Sequence, residues 1–124
     1  MTGAAVCPFC NGQEAVLEAS LAYARFDKYP AARGHLLILP RRHVADWFET
    51  TADEQLDLWA LAKAARELLL REYAPDGFNL GINVGEAAGQ TVFHAHLHVI
   101  PRYRGDVEDP RGGVRAVITG KQYY

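Results

Sequence analysis

"TADEQLDLWALAKAARELLLREY", Thr51 to Tyr73, decides the architecture. Thr51 stands three residues before Glu54, the capping-box spacing in which two side chains satisfy each other's backbone amides. Neither Gly nor Pro interrupts the run until "APDG" at Ala74 to Gly77, so one long helix is predicted. Leu58, Leu61, Ala62, Ala65, Leu68 and Leu69 fall on one face by helical spacing, while Asp53, Asp57, Arg66 and Arg71 supply charge elsewhere. Such a stripe must cover an apolar layer.

The flanking segments provide that layer. Upstream, "EAVLEASLAYARFD" from Glu14 to Asp27 reads as a hairpin turning near Glu18 to Ser20. "GHLLILP", Gly34 to Pro40, is a nearly continuous apolar run between Gly and Pro, as expected of a central strand covered on both faces. Downstream, Phe78, Leu80, Ile82 and Val84 alternate with Asn79, Gly81, Asn83 and Gly85, which places Asn83 on the polar side of a strand. In "FHAHLHV", Phe93, Ala95, Leu97 and Val99 are expected to face the core, and His94, His96 and His98 the other way. After the turn "PRGG" at Pro110 to Gly113, "VRAVI" is expected to add a last strand before a tail ending in Tyr123 and Tyr124. Strands, one helix and strands again make an α+β domain with an antiparallel sheet.

The totals agree with a single domain over residues 1–124. Hydrophobic residues are 49% and charged residues 23%, ordinary for a soluble globular protein. A net charge of -2 offers no basic excess for a phosphate backbone, so nucleic acid is not an expected partner. No run approaches the roughly 18 apolar residues of a membrane span, and "MTGAAVC" lacks the pattern of a secretory leader. No membrane partner and a cytoplasmic location are therefore expected.

The five histidines, His35, His43, His94, His96 and His98, all lie in two apolar strands or their immediate flanks. Alternate residues on a strand are about 6.5 to 7 Å apart, close enough for three imidazoles to surround a small anion or share a metal. Spacing alone leaves both open. A row of titratable groups on one face is nevertheless the mark of a working site more than of a solvated sheet.

His-x-His-x-His followed by two apolar residues, His94 to Ile100, resembles the signature of the histidine triad (HIT) family of nucleotide hydrolases and transferases. The similarity extends to "FDKYPAARGHLLILPRRH" and "GINVGEAAGQTVFHAHLHVIPR", and so over most of the chain from Cys7 to Arg102. The resemblance implies a five-stranded antiparallel sheet with one long helix and a short helix, a homodimer, and a purine nucleotide substrate. His96 would attack the α-phosphorus, giving a nucleotidyl-histidine that water hydrolyses. Imidazole is a neutral nucleophile at pH 7, and a hydrogen bond from its other nitrogen to a backbone carbonyl, by the resemblance that of His94, fixes the tautomer. His98 would hydrogen-bond the reacting phosphate and His35 would support the site from the neighbouring strand. Asn83, Gln90 and Thr91 lie where the family binds phosphate oxygens or positions the leaving group, and Asp27 suits the ribose hydroxyls. "GQTVFHAHLHVIPR" is closer to the dinucleoside polyphosphate hydrolases, with substrates such as diadenosine tri- or tetraphosphate, than to the nucleoside phosphoramidases, and adenine is the expected base.

The only cysteines, Cys7 and Cys10, form "CPFC". A redox site would place this motif at the start of a helix delivered by a strand, but six residues precede Cys7 and "NGQEAV" follows. Zinc-containing HIT relatives imply the other reading, a structural Zn2+ held by Cys7, Cys10, His43 and His94. Such a closed set leaves no position for substrate. Gly81, Gly85 and Gly89 precede no Gly-Lys-Ser/Thr and are taken as strand and turn glycines. Phe9 and Phe26 could wall a base pocket but are read as core, and Arg111 and Arg115 could meet distal phosphates but are read as exposed. Two rivals remain: a zinc- or nucleotide-binding module without turnover, and a jelly-roll metal oxygenase, for which a further His after His98 is missing.

Overall fold

The computed structural model describes residues 7–12 and 14–123. Its strands are β1 (Leu17–Glu18), β2 (Ala22–Phe26), β3 (Leu36–Pro40), β4 (Gly77–Ile82) and β5 (Leu97–Arg102), and α1 spans Ala52–Glu72. They form one five-stranded sheet in the order β1-β2-β3-β5-β4, with every pairing antiparallel. The short helical pieces are 3-10 turns at Trp47–Glu49, Glu86–Ala88 and Gly113–Val117. Among the described residues no helix is long and apolar enough to cross a membrane.

Helix α1 begins where its capping box sits. The Thr51 hydroxyl accepts the Glu54 amide at 3.0 Å and the Glu54 carboxylate accepts the Thr51 amide at 2.8 Å. Arg42, just after β3, grips the same carboxylate through Nε (3.1 Å) and Nη2 (2.9 Å). The end of a central strand is thereby tied to the start of the helix. The stripe of Leu58, Leu61, Ala62, Ala65 and Leu69 packs on Ala22, Ala24, Leu36, Ile38, Leu97 and Val99, with Leu68 partly buried against them. Gly34 sits at φ +87°, and a Cβ there would lie 2.9 Å from Leu69 and 3.1 Å from the Tyr73 ring; only glycine allows both the turn and the close approach.

The other sheet face carries Tyr23, Leu37 and Leu39, covered by Phe9 of the N-terminal segment. Strand β3 is thus buried on both sides, as its unbroken apolar run predicts. Period 2 puts Arg25 and Asp27 on this second face, with His96 and His98.

Three expectations are corrected. The triad strand begins at Leu97, not Phe93, and Phe93 is 48% exposed. Residues 93–96 leave the ladder because the Ala95 amide bonds the Val44 carbonyl at 2.7 Å and the His94 ring is drawn to Pro40 O at 2.7 Å. Leu80 is 41% exposed, since β4 is an edge strand while α1 packs chiefly over β2 and β3. "VRAVI" joins no strand: Val114 to Val117 lie in the 3-10 turn Gly113–Val117 and Ile118 ends it. Gly112 enters that turn at φ +82° with Gln122 packed against its Cα, and Gln122 donates to the carbonyls of Asp109 and Arg111, folding the tail back on itself.

Candidate functional site

The sheet register sets the histidines side by side. On β3 and β5, Leu37 pairs with His98 and Ile38 with Leu97, so His98 and His96 project from the face opposite α1. The ring centroids of His96 and His98 are 4.9 Å apart, and those of His35 and His98 5.1 Å.

Backbone contacts settle which nitrogen carries each proton. The Ala31 amide donates to His35 Nδ1 at 2.9 Å, so the His35 proton is on Nε2. That Nε2–H donates to His98 Nδ1 at 2.9 Å and lies 3.6 Å from the Asp27 carboxylate. His98 consequently carries its own proton on Nε2. His96 Nδ1–H donates to the His94 carbonyl at 2.7 Å, leaving the Nε2 lone pair of His96 free. His94 Nε2–H donates to the Pro40 carbonyl at 2.7 Å, which leaves its Nδ1 as a ligand atom. Each assignment follows from the rule that a neutral imidazole has one donor and one acceptor nitrogen.

Burial keeps these rings neutral. Desolvation first, and then the neighbouring His96 and His35 rings, push His98 down to about 4 against a partial counter-effect from Asp27. Burial likewise lowers His35, opposed by Asp27, and lowers His94, opposed by its bond to Pro40. Near pH 7 these three imidazoles are hydrogen-bonding dipoles, not cations.

His96 and His98 open on a cavity of about 320 Å³ that Asp27, Asn83, Gln90 and Thr91 also line. The expected substrate-binding residues are therefore gathered in one place. Asp27 Oδ1 accepts the Tyr29 amide at 2.9 Å, which orients the carboxylate. Thr91 is at the exposed rim. Gln90 is buried and engaged with backbone: its Oε1 accepts from Gly85, and its Nε2 donates to Ala45 at 2.8 Å and Val92 at 3.2 Å. In this arrangement it shapes the loop over 85–92.

Sequence reasoning left several residues of the wall outside the expected site. Phe9, read as core, is both core and cavity wall, with its ring 5.3 Å from His96 in a T-shaped contact. Pro8, Arg25, Lys28 and Leu37 complete the far side. Arg25 was detectable in principle, because it lies two positions before Asp27 on one strand and so shares its face.

The CPFC segment returns to the same histidines. The ligand atoms of Cys7, Cys10, His43 and His94 all lie within 4.8 Å of one another, with Cys7 Sγ 3.4 Å and Cys10 Sγ 3.6 Å from His94 Nδ1 and Cys10 Sγ 3.1 Å from His43 Nδ1. Two thiols and two imidazoles at these spacings fit a tetrahedral Zn2+, whose ligand atoms stand roughly 3.3 to 3.8 Å apart. Burial, then the adjacent Cys7 thiol, push Cys10 up to about 11; a bound cation reverses that preference. No helix starts at Cys10, where the chain makes a turn, so the redox geometry is not met. A second cluster, Asp27, His35 and His98, also has closely spaced ligand atoms, but a proton shared between His35 and His98 already occupies it.

An antiparallel sheet that presents His96 and His98 of a histidine row to a cavity, beside a Cys2His2 cluster, defines a histidine triad architecture. Residues 11–105 match the HIT domain family, and the chain belongs to it. It is similar to the AP-4-A phosphorylase of Mycobacterium tuberculosis, 37% identical over 92 residues that cover 73% of this chain and 47% of that one. It is also similar to the bifunctional bis(5'-adenosyl)-triphosphatase/adenylylsulfatase FHIT of Arabidopsis thaliana, 40% identical over 88 residues, 71% of this chain and 49% of that one. The chain thus spans about half the length of these two curated relatives. The crystal structure of a Zn-bound histidine triad family protein from Mycobacterium smegmatis superposes with a TM-score of 0.74 at 34% identity, covering 83% of this chain and 79% of that one.

Proposed function

We propose that the protein cleaves the α-phosphate linkage of dinucleoside polyphosphates, such as diadenosine tri- or tetraphosphate, through a covalent nucleotidyl intermediate on His96. One observation carries this reading: the 2.7 Å bond from His96 Nδ1–H to the His94 carbonyl turns the opposite nitrogen, Nε2, to the cavity as the nucleophile. The Nε2 lone pair attacks phosphorus, the bond from phosphorus to the bridging oxygen breaks, and the leaving phosphate departs with that electron pair. The His94 carbonyl stabilises the positive charge that develops on the ring. Water then adds to phosphorus, the P–N bond breaks, and His96 returns to its neutral tautomer as the water proton leaves.

His98 presents an Nε2–H donor to the phosphate oxygens, and the bond from His35 holds that donor in place. Asn83 and Thr91 line the same wall and supply neutral donors to the transferred group, while Gln90 fixes the loop that carries Thr91. Asp27 takes the ribose hydroxyls. The AP-4-A phosphorylase and bis(5'-adenosyl)-triphosphatase named above support the substrate class.

Cys7, Cys10, His43 and His94 would hold a structural Zn2+, supported by the spacing of their ligand atoms and the Zn-bound relative. With four protein ligands the metal supplies no open position and contributes to folding. A cytoplasmic location suits this set, because a reducing compartment keeps the thiols unpaired. The open edge of β4 with its exposed Leu80 supports a homodimer, which sedimentation would read as twice the 13.7 kDa chain mass; a 13.7 kDa species would refute it.

Turnover of diadenosine tetraphosphate and of adenosine 5'-phosphoramidate tests the reading. The wild type is expected to hydrolyse the former faster, and His96→Ala to lose both activities while keeping its circular dichroism spectrum and zinc content. An inert wild-type protein would favour a binding module.

A further inference from the structure

The far end of the cavity contains a buried charge that the phosphate chemistry does not use. Arg25 is 2% exposed. Its Nη1 donates to the Pro8 carbonyl at 2.9 Å and its Nη2 to Glu14 at 2.9 Å, but its buried Nε has no hydrogen-bond partner among the described residues. Its guanidinium carbon lies 5.2 Å from the centroid of the Phe9 ring. Lys28, from the same side of the cavity, reaches Glu14 at 3.3 Å. A buried donor without an acceptor is a costly feature in an empty pocket and a natural one where a ligand atom completes it.

The register places this group relative to the chemistry. Arg25 pairs with Leu37 across β2 and β3, and Leu37 pairs with His98 across β3 and β5. Two strand spacings, roughly 10 Å, therefore separate Arg25 from His98, with the buried Leu37 side chain between them as an apolar floor. A nucleotide with its α-phosphate at His96 and its ribose at Asp27 would lay its base over Leu37 and direct the base edge at Arg25.

Charge and donor count then select the base. Arg25 and Lys28 are balanced by Glu14 and Asp27, so the subsite suits a neutral group more than another anion. Its two cations offer only donors, and among the described residues the distal acceptor, Glu14, is held by both of them. A 6-oxopurine presents acceptors at both N7 and O6, the edge that arginine reads bidentately, whereas adenine sets an amino donor at the second position. We propose that Arg25 and Lys28 form a nucleobase subsite that selects a 6-oxopurine, guanine or hypoxanthine, over adenine; this rests on the nucleotide reading of the His96 site. Phe9 stacks behind the guanidinium, and the Leu37 floor accepts either purine, so the discrimination lies in the polar edge.

Calorimetric titration of the full zinc-loaded chain with GMP and with AMP tests the inference without requiring turnover. GMP is expected to bind about tenfold more tightly than AMP, the discrimination given by one well-placed pair of donors. The ratio falls toward one in Arg25→Met and in Lys28→Met, the latter a change at an exposed side chain that decides the matter if the former does not fold. Equal or tighter binding of AMP by the wild type, or an unaltered ratio in Lys28→Met and in any folded Arg25→Met, overturns the base assignment. If that occurs while diadenosine tetraphosphate is still cleaved, the catalytic reading stands without it. If neither nucleotide binds at millimolar concentration, the base assignment falls, and the catalytic reading falls with it only if diadenosine tetraphosphate is not cleaved either.

Discussion

At the scale of single residues, the site is a chain of proton assignments that begins at a backbone amide. Ala31 N–H fixes His35, His35 fixes His98, and the His94 carbonyl independently fixes His96. Nothing in the chain needs a charged imidazole, and burial discourages one. His98 accordingly titrates with a midpoint of about 4 in the folded protein against an ordinary 6.5, which a ¹⁵N-detected NMR titration would read directly; a midpoint near 6.5 contradicts the arrangement. The sign follows for stability. Between about 4 and 6.5 the unfolded chain binds this proton and the folded chain does not, so the contribution is complete above the upper value and lost as pH falls toward the lower.

The row itself was legible at this scale, because alternation on a strand is a period that the sequence displays. It puts His94, His96 and His98 on the polar side of one strand and Asn83 on the polar side of another, whereas Asp27 entered through the family resemblance alone. The face on which Arg25 lies was detectable from its spacing to Asp27, but its burial was not, since that depends on Glu14 eleven residues earlier and on the Pro8 carbonyl. Gln90 shows another limit: its amide is engaged by backbone groups at 45, 85 and 92, and no local pattern marks such a role.

At the scale of elements, α1 owes its start to Thr51 and Glu54 and its position to Arg42. Thr51→Ala is expected to cost about 1 kcal/mol, measured by urea unfolding; no change in the midpoint would show that the Arg42 clamp alone suffices. Arg42 also holds the Glu54 carboxyl below the usual carboxylate range, so this tie is present above the unfolded-state value and weakens as the medium becomes acid enough to protonate it. The helix and strand β3 were readable because each joins a marked apolar pattern to explicit stop signals. "VRAVI" has the composition of a strand, yet a strand needs a partner edge, and the glycine-led turn with the Gln122 clamp sends the segment elsewhere. Phe93 was misplaced for a related reason: extrapolating the period through 93–96 ignores the pull of Val44 and Pro40 on that stretch.

At the scale of the whole molecule, the N-terminal segment is the second layer of the fold as well as a wall of the cavity. Phe9 is flanked by Cys7 and Cys10, so the cluster that would hold zinc also sets the Phe9 ring against His96. Removing the metal with a chelator, or replacing Cys7 by Ser, should therefore lower the melting temperature by several degrees and expose Phe9. Structural zinc sites commonly contribute on the order of 10 kcal/mol, although the α1 side of the core remains to support the sheet. A melting curve indifferent to chelation, in a protein purified with stoichiometric zinc, would contradict this coupling.

The measurement that bears most directly on the central claim is mass spectrometry of the protein quenched during turnover of diadenosine tetraphosphate. The account predicts one adenylyl group, acid-labile and base-stable as a phosphoramidate is, on the peptide containing His96 and absent from His96→Ala. Steady hydrolysis by the wild type with no adduct at any quench time, or an adduct that persists in His96→Ala, would contradict it.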